Sequence, residues 1–254
     1  MHIAITGASS GIGAALAREL ARVPGVRLTL VARRKPLLDQ LAAELGVPVR
    51  VVQHDLSDPA RAADWIAAAE DAHGPIEILV NNAGAQVLGP TATTDVEQAE
   101  ETVRLDLLSP LRLTRALLPA MLARRAGMIV DISSLAALAP TPGMTWYNAA
   151  KGGLAAASEA LRGELRGTGV HVVTVYPGII GETDMAHAAL KKFPASRMVS
   201  AQPVGTAAAL ARLVRAAIEK RQDRVIYPRV NTLARWLPAP TRWLMDRLTP
   251  PVRA

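Results

Sequence analysis

Tyr147 and Lys151 have the residue types and the spacing for proton transfer. They are four positions apart in a segment with a helical pattern, so both side chains are expected on one face of a helix. Free tyrosine has a pKa of about 10 and is a poor base at neutral pH, but a nearby ammonium favours the phenolate. The shift needed is about three units, or roughly 4 kcal/mol. The spacing is also typical of a plain surface pair, so other motifs must decide between the two readings.

A glycine-rich loop follows the first predicted strand and opens the first predicted helix. It reads Thr6-Gly7-Ala8-Ser9-Ser10-Gly11-Ile12-Gly13. Glycines permit a tight turn and let the backbone approach a pyrophosphate, and the amides of a helix N-terminus attract that anion. The alternative is a tight turn with no ligand. We predict a dinucleotide site whose candidate contacts are Gly7, Ser9, Ser10, Gly11, Ile12 and Gly13.

Two arginines, Arg33 and Arg34, follow the second predicted strand, where an NAD site typically offers a carboxylate to the ribose. Guanidinium groups instead suit a 2′-phosphate, so we predict NADP(H) over NAD(H). The alternative is a solvated basic turn. After the third strand, Asp55, with Leu56 beside it, is a candidate contact to the adenine amino group. Asp55 could equally start a helix, because good N-cap residues follow it.

Strands and helices alternate along the chain, which predicts an α/β fold with a doubly wound parallel sheet of about seven strands between two helical layers, a Rossmann fold. The predicted strands are His2–Thr6, Arg27–Ala32, Val49–Gln53, Ile76–Val80, Met128–Ile132, His171–Tyr176 and Arg224–Tyr227. The predicted helices are Gly11–Arg22, Pro36–Leu45, Pro59–His73, Val96–Arg124, Thr145–Arg166 and Pro203–Lys220.

One domain is expected over residues 1–228, with a basic, Trp- and Pro-rich C-terminal extension over residues 229–254. Within the domain, the irregular segment at about 178–200 begins at the carboxyl edge of the sheet, where ligands bind in open α/β folds, so we predict a substrate lid there. The segment is apolar but includes Lys191 and Lys192. That composition permits a hydrophobic ketone or one with an anionic tail.

The composition limits the function classes. The 254 residues include no cysteine, which excludes disulfides, thiolate metal sites and cysteine nucleophiles, and we expect no metal site. A formal net charge of +7 fits an anionic ligand or a membrane surface. The main domain has no basic run interleaved with aromatics, so we do not expect it to bind nucleic acid. We find no signal peptide and no apolar stretch of about 18 residues, so a cytoplasmic protein is expected.

These motifs together resemble the short-chain dehydrogenase/reductase family in its shorter, single-domain form. The resemblance covers Met1 to about Tyr227. Besides the glycine-rich loop, it rests on Asn81-Asn82-Ala83-Gly84 after the fourth strand, on Ser134 followed by Tyr147-Asn148-Ala149-Ala150-Lys151, and on Pro177-Gly178 after the sixth strand.

The resemblance implies an NADP(H)-dependent oxidoreductase acting on a ketone or secondary alcohol, in a homodimer or homotetramer. Tyr147 would exchange the proton, Lys151 would hold the nicotinamide ribose, and Ser134 would orient the carbonyl. The positive ring of the oxidised cofactor would add to the effect of Lys151 on the pKa of Tyr147. Further cofactor contacts are implied at Asn82, Ala83, Gly84, Tyr147, Lys151, Pro177, Gly178, Ile180 and Thr183.

Two positions depart from the family pattern. Asp106 occupies a place where the family usually has an asparagine that holds a relay water near the lysine. Asp106 could hold the same water and, if ionised, favour the charged form of Lys151, or the relay could be weakened. Thr183 follows Pro177-Gly178 one residue later than the family's threonine, so it would need a small shift of the loop to reach the nicotinamide.

The C-terminal extension and Asp106 leave alternatives open. Trp236 and Trp243, among leucines and arginines, suit a helix at a membrane surface, where the enzyme would act on a lipid-like carbonyl. The other reading of the extension is a tail packed on its own domain or on a neighbouring subunit. Asp106 is the only support for a cofactor-binding regulator without turnover, and Ser134, Tyr147 and Lys151 argue against that alternative.

Overall fold

A parallel sheet carries the chain's candidate site at its carboxyl edge. The computed structural model describes residues 1–187, 203–237, 239–241, 243 and 247. Within these residues the sheet has seven strands in the order β3-β2-β1-β4-β5-β6-β7, which confirms the predicted fold class. The strands are β1 (His2–Thr6), β2 (Arg27–Ala32), β3 (Val49–Gln53), β4 (Ile78–Asn81), β5 (Gly127–Ile132), β6 (Val170–Pro177) and β7 (Arg224–Tyr227).

Helices cover both faces of the sheet. They are α1 (Gly11–Leu20), α2 (Lys35–Glu44), α3 (Ile66–His73), α4 (Val96–Val103), α5 (Ser109–Ala123), α6 (Thr145–Glu164), α7 (Ala207–Glu219) and the short α8 (Thr232–Trp236). Alternate residues of each strand serve the two layers: Ile3 and Ile5 pack with α1, α2 and α7, whereas Ala4 packs with α3 and α5. Burial on both faces explains why the strand sequences are almost continuously apolar.

Two predicted helices differ from the observed ones. The segment 59–65 forms consecutive turns, and α3 begins only at Ile66. The backbone hydrogen bonds of the segment 59–65, such as Arg61 N–H to Asp58 O (3.2 Å), span three residues, and the Asp58 side chain accepts from Ala60 N–H. These local bonds replace the four-residue hydrogen bonds of an α-helix.

The predicted helix over Val96–Arg124 is interrupted by a π-helical segment, Arg104–Leu108. At its end, Ser109 N–H donates to Arg104 O, five residues back. Pro110 has no N–H to give to the carbonyl of Asp106, four residues before it, and its ring would crowd that carbonyl in a regular α-helix. The wider turn relieves this conflict, and Asp106 lies in the middle of it.

A carboxylate-centred cluster anchors the carboxyl-terminal half of α6. Glu159 accepts from Arg162, Arg224 and Arg235, which lie on α6, β7 and α8, and from the Tyr176 hydroxyl of β6. Burial by itself would raise the pKa of Glu159, but hydrogen bonds and charge from the arginines lower it to about 2. The cluster therefore joins α6, β6, β7 and α8 near the carboxyl-terminal end of α6, after the turns that carry Tyr147 and Lys151.

None of the helices in the described part of the chain combines the length and the hydropathy that a membrane-spanning segment needs.

At Gly13, α1 packs closely against Gly7 and Asn82. A Cβ on this residue would lie 2.3 Å from Gly7 O and 2.6 Å from Asn82 Nδ2. Because backbone atoms form this contact, the neighbours cannot yield as a flexible side chain would. Glycine is thus required here by the packing of the helix, and the glycine-rich loop depends on that packing for its shape.

We expect Gly13→Ala to lower the free energy of unfolding by about 1–3 kcal/mol and to weaken dinucleotide binding, because the added methyl overpacks this contact. Gly163→Ala is the matched control, since a Cβ there meets nothing within 4 Å and α6 should gain about 0.5–1 kcal/mol. Chemical denaturation of both variants measures the two effects. Equal stability of the two variants would show that the contact at Gly13 yields freely.

Candidate active site

The three residues proposed for catalysis come from β5 and α6. Ser134 follows β5 in an extended conformation, and its Oγ accepts from Ala136 N–H at 3.1 Å. Tyr147 and Lys151 lie on the first turns of α6, and both are buried, with exposed fractions of 6% and 4%. The Lys151 Nζ lies 6.0 Å from the centre of the Tyr147 ring. The pair thus faces the protein interior, which excludes the reading of a surface pair.

Lys151 has two fixed partners in the interior. Its Nζ lies 3.1 Å from Asp106 Oδ2 and donates to Ile132 O, also at 3.1 Å. An ammonium has three N–H donors, so one remains for another acceptor such as a cofactor hydroxyl.

Asp106 is fully buried, and its two carboxylate oxygens have different partners. Oδ1 accepts from Ala85 N–H at 2.7 Å, and Oδ2 pairs with Lys151. A Cβ on Gly84 would lie 3.0 Å from Oδ2, so the glycine makes room for this carboxylate. Asp106 contacts Lys151 directly, which is the arrangement in which an ionised Asp106 favours the charged form of the lysine.

The ion pair favours the charged form of the lysine. Burial lowers the pKa of Lys151, but Asp106 and Tyr147 outweigh that effect, and the pKa is raised above its ordinary value. Burial also raises the pKa of Asp106, against the opposing effects of Lys151 and the Ala85 amide. Each group therefore depends on the other to keep its charge out of water.

The pKa of Tyr147 moves in the direction opposite to the one expected. Burial raises it, Lys151 lowers it, Asp106 raises it again, and a hydrogen bond with Ser134 lowers it; the net shift is upward. The expectation counted the oxidised nicotinamide together with Lys151; among the protein's own groups, burial, which has the largest effect, and Asp106 outweigh Lys151. The protein by itself stabilises the phenol and not the phenolate.

The glycine-rich loop is tied to the end of β4 through Thr6. The Thr6 hydroxyl accepts from the N–H groups of Asn82 and Ala83, both at 3.0 Å, and donates to Val80 O. In turn, Asn82 Nδ2 donates to Thr6 O and to Gly7 O. Gly7 has a φ of +65° and a Cβ there would lie 2.7 Å from Ala83 Cα, so its place in the turn requires glycine. The candidate contacts Asn82, Ala83 and Gly84 are thereby held beside the loop.

The first turn of α1 has the features of an anion site. Ser10 at its N-cap makes no side-chain hydrogen bond to the helix, so the orphan amides of that turn are not capped from within. The Arg34 guanidinium donates to Ser9 Oγ (3.1 Å) and Ser10 Oγ (2.5 Å), which brings a positive charge to the same place. The amides and this arginine fit the phosphates of a dinucleotide.

Arg33 lies on the other side of the same edge. Its Nη1 is 3.5 Å from Glu101 Oε1 and 4.0 Å from Asp55 Oδ2. Asp55 Oδ1 accepts from Ser57 N–H at 2.9 Å, so Asp55 shapes the turn that follows β3. Leu56 is buried, and its carbonyl accepts from the Ser109 hydroxyl. All of these candidates share one edge of the sheet, and of the two arginines Arg34 lies against the loop.

The segment after β6 folds back over the site. Pro177 is buried, Gly178 N–H donates to Tyr227 O, and Ile180 forms a bridge with Gly205. Thr183 reaches the glycine-rich loop, because a Cβ on Gly11 would lie 3.2 Å from its Cγ2. The Thr183 hydroxyl accepts from Ala186 N–H, which commits it to the turn that follows.

Sequence analysis did not single out Met185 and Asp184. The Tyr147 hydroxyl lies 3.9 Å from Met185 Sδ, and Asp184 Oδ2 lies 3.9 Å from Arg34 Nη1. Only the apolar character of the predicted lid hinted at such contacts. The remainder of that lid, including Lys191 and Lys192, falls in the range 188–202, outside the described residues.

Comparison with known proteins agrees with this geometry. The family described as short chain dehydrogenase matches residues 1–193. The ketoacyl reductase HetN of Nostoc sp. is 34% identical over 186 residues, which cover 72% of this chain and 64% of that protein.

Two solved structures share the fold over most of their length. A variant of actinorhodin polyketide ketoreductase with NADPH superposes with a TM-score of 0.82 and 28% identity, covering 89% of this chain and 95% of the other. The closed form of a serine dehydrogenase complexed with NADP+ gives a TM-score of 0.80 and 27% identity, covering 89% and 94%. The chain belongs to the short-chain dehydrogenase/reductase family.

Proposed function

We propose that this protein is an NADP(H)-dependent oxidoreductase that interconverts a ketone and a secondary alcohol. The observation that carries the proposal is the convergence of Ser134, Tyr147 and Lys151 at the sheet edge that also bears the glycine-rich loop. The names of two relatives, a ketoacyl reductase and a polyketide ketoreductase, support a ketone as the substrate.

The protein's own groups account for the proton and for the alignment. When bound, the nicotinamide supplies the hydride to the carbonyl carbon, or accepts it from the alcohol. In reduction, the Tyr147 hydroxyl transfers its proton to the carbonyl oxygen and becomes a phenolate, which water must reprotonate. The Ser134 hydroxyl donates a hydrogen bond to the same oxygen as its charge develops. The third N–H of Lys151 is available to a ribose hydroxyl.

The cofactor would be held along the same edge. The amides of the first turn of α1 would bind the pyrophosphate, and Arg34 would bind the 2′-phosphate that distinguishes NADP from NAD. Arg33, Asp55 and Leu56 would line the adenosine side. Two of the solved relatives carry NADP+ or NADPH, which supports this choice of cofactor.

A screen of NADPH oxidation across ketones of graded chain length and charge tests the function. With the best ketone, we expect Tyr147→Phe to reduce kcat by at least about a hundredfold, because the proton donor is lost, while the Kd for NADPH changes little. Tyr227→Phe, which removes a different hydroxyl, is the matched control and should keep most of the activity.

Two outcomes would contradict the proposal. If Tyr147→Phe lost NADPH binding in step with activity, Tyr147 would be a binding residue and not the proton donor. If NADPH bound but no ketone or alcohol turned over, the alternative of a cofactor-binding regulator would replace the enzyme.

The cofactor preference depends on Arg34. We expect Arg34→Ala to weaken NADPH binding about tenfold or more and to leave NADH binding nearly unchanged, because a charge-assisted hydrogen bond to the 2′-phosphate contributes about 1.5–3 kcal/mol. Fluorescence titration with each nucleotide measures both constants, and Arg33→Ala ranks the two arginines. Arg61→Ala, on an exposed turn, is the control. Equal affinity of the unaltered protein for NADH and NADPH would refute the assignment.

A second proposal concerns the place of action. Trp236, Leu237 and Trp243 are 73%, 50% and 58% exposed, so these side chains are not packed on their own domain. The range 229–254 contains five arginines and one aspartate, and the Arg247 guanidinium lies 4.7 Å from the Trp243 ring centre. Exposed tryptophans among arginines fit an anionic lipid surface, and we propose that the extension contacts one.

We expect the protein to co-sediment with vesicles of phosphatidylcholine and phosphatidylserine, less with phosphatidylcholine alone, and hardly at all after Trp236→Ala and Trp243→Ala are combined. Val96→Ala, another exposed apolar side chain, is the control and should bind as the unaltered protein does. A double variant that keeps its vesicle binding but loses an assembled state in light scattering would assign the tryptophans to a subunit interface. The expected homodimer or homotetramer is read from the same measurement.

A further inference from the structure

The ion pair between Asp106 and Lys151 has no role in the proposed mechanism as described so far. A lysine that only holds a ribose needs no permanent counter-charge. Here the Asp106 carboxylate is fully buried and lies 3.1 Å from Nζ. Burying two charges is costly, so a pair in this position is expected to affect the groups beside it.

Both neighbours of the Asp106 carboxylate are donors. Oδ1 accepts from Ala85 N–H, and Oδ2 lies 3.1 Å from the Lys151 ammonium. An asparagine of the same shape has one acceptor oxygen, so its NH2 group would have to face either the amide or the ammonium. The site is therefore built for a carboxylate, which also brings a full negative charge.

The titratable groups that affect Lys151 come from three elements. Asp106 lies on the π-helical segment, Asp131 on β5, and Tyr147 on α6 itself. Asp131 is also buried, but its Oδ1 accepts from Asn81 Nδ2 at 2.8 Å, and it acts on Lys151 more weakly than Asp106 does. Asp106 is thus the principal counter-charge of the lysine.

A lysine ammonium that is paired with a carboxylate attracts a phenolate less than an unpaired ammonium does. Burial favours the protonated form of Tyr147, Lys151 acts to draw the proton off, and Asp106 opposes Lys151. Resting on the proposed function, we propose that Asp106 is a positioning residue whose carboxylate neutralises Lys151 and so keeps the proton on Tyr147, which maintains the site as a proton donor for carbonyl reduction up to alkaline pH.

The pH profile of ketone reduction by NADPH tests this role. Reduction needs the Tyr147 phenol, so its rate falls on the alkaline side when the Tyr147–Lys151 pair loses its first proton. In Asp106→Asn that proton is held less tightly, and we expect the alkaline limb of kcat to move down by at least about one pH unit. Asp95→Asn, an exposed helix cap where asparagine serves equally well, should leave the limb unmoved. A smaller shift in Asp106→Asn, or an upward one, overturns the proposal.

A direct titration decides the matter if Asp106→Asn does not fold. Phenolate absorbance is recorded against pH for the unaltered protein and for Tyr147→Phe, and the difference isolates Tyr147 from the chain's two other tyrosines. The proposal expects a midpoint at or above that of free tyrosine, about 10. A midpoint below that value overturns it.

The two proposals fail in different ways. The absorbance titration needs neither cofactor nor substrate, so it reports on the ionisation of Tyr147 beside Lys151 even if no ketone is reduced. Conversely, an active reductase whose Tyr147 titrates below free tyrosine would keep the proposed function and lose the role of Asp106.

Discussion

The buried pair of Asp106 and Lys151 is the interaction on which the rest of the site depends. Two charges removed from water are stable only when each finds good partners, and the fold supplies them. The ammonium has the carbonyl of Ile132, the carboxylate has the amide of Ala85, and each has the other. The π-helical turn and the missing side chain of Gly84 are the local adjustments that admit the carboxylate.

The two ends of the site differ in charge, although they share one sheet edge. At the glycine-rich loop, Arg34 and the uncapped first turn of α1 present positive charge to an anionic ligand. Beside Tyr147, the Lys151 ammonium is paired with the Asp106 carboxylate. The positive charge of Lys151 is thus balanced locally, although the chain as a whole has a formal net charge of +7. Under the proposed function, the cofactor phosphates need positive charge and the proton donor needs a balanced charge, and the two groups of residues lie at different places along one sheet edge.

Close packing links the two ends. Thr6 ties the glycine-rich loop to the end of β4, and the next residues along lead to Gly84 and Ala85, which contact Asp106. The segment after β6 adds a second link, since it carries Thr183 against Gly11 and Met185 against the Tyr147 hydroxyl. Few side chains here could change size without moving a neighbour, which explains the requirement for glycine at positions 7 and 13.

Sequence alone determined the fold class and most strand bounds, and it predicted the glycine-rich loop and the trio Ser134, Tyr147 and Lys151, because apolar periodicity and motif spacing are local properties of the chain. Only the tertiary structure decided the sign of the effect on Tyr147. That sign depends on burial and on Asp106, which lies 41 positions from Tyr147 in the sequence. Asp106 lies in a π-helical turn that the apolar periodicity of the sequence does not predict. Long-range electrostatics in a dry interior is a property of the folded chain.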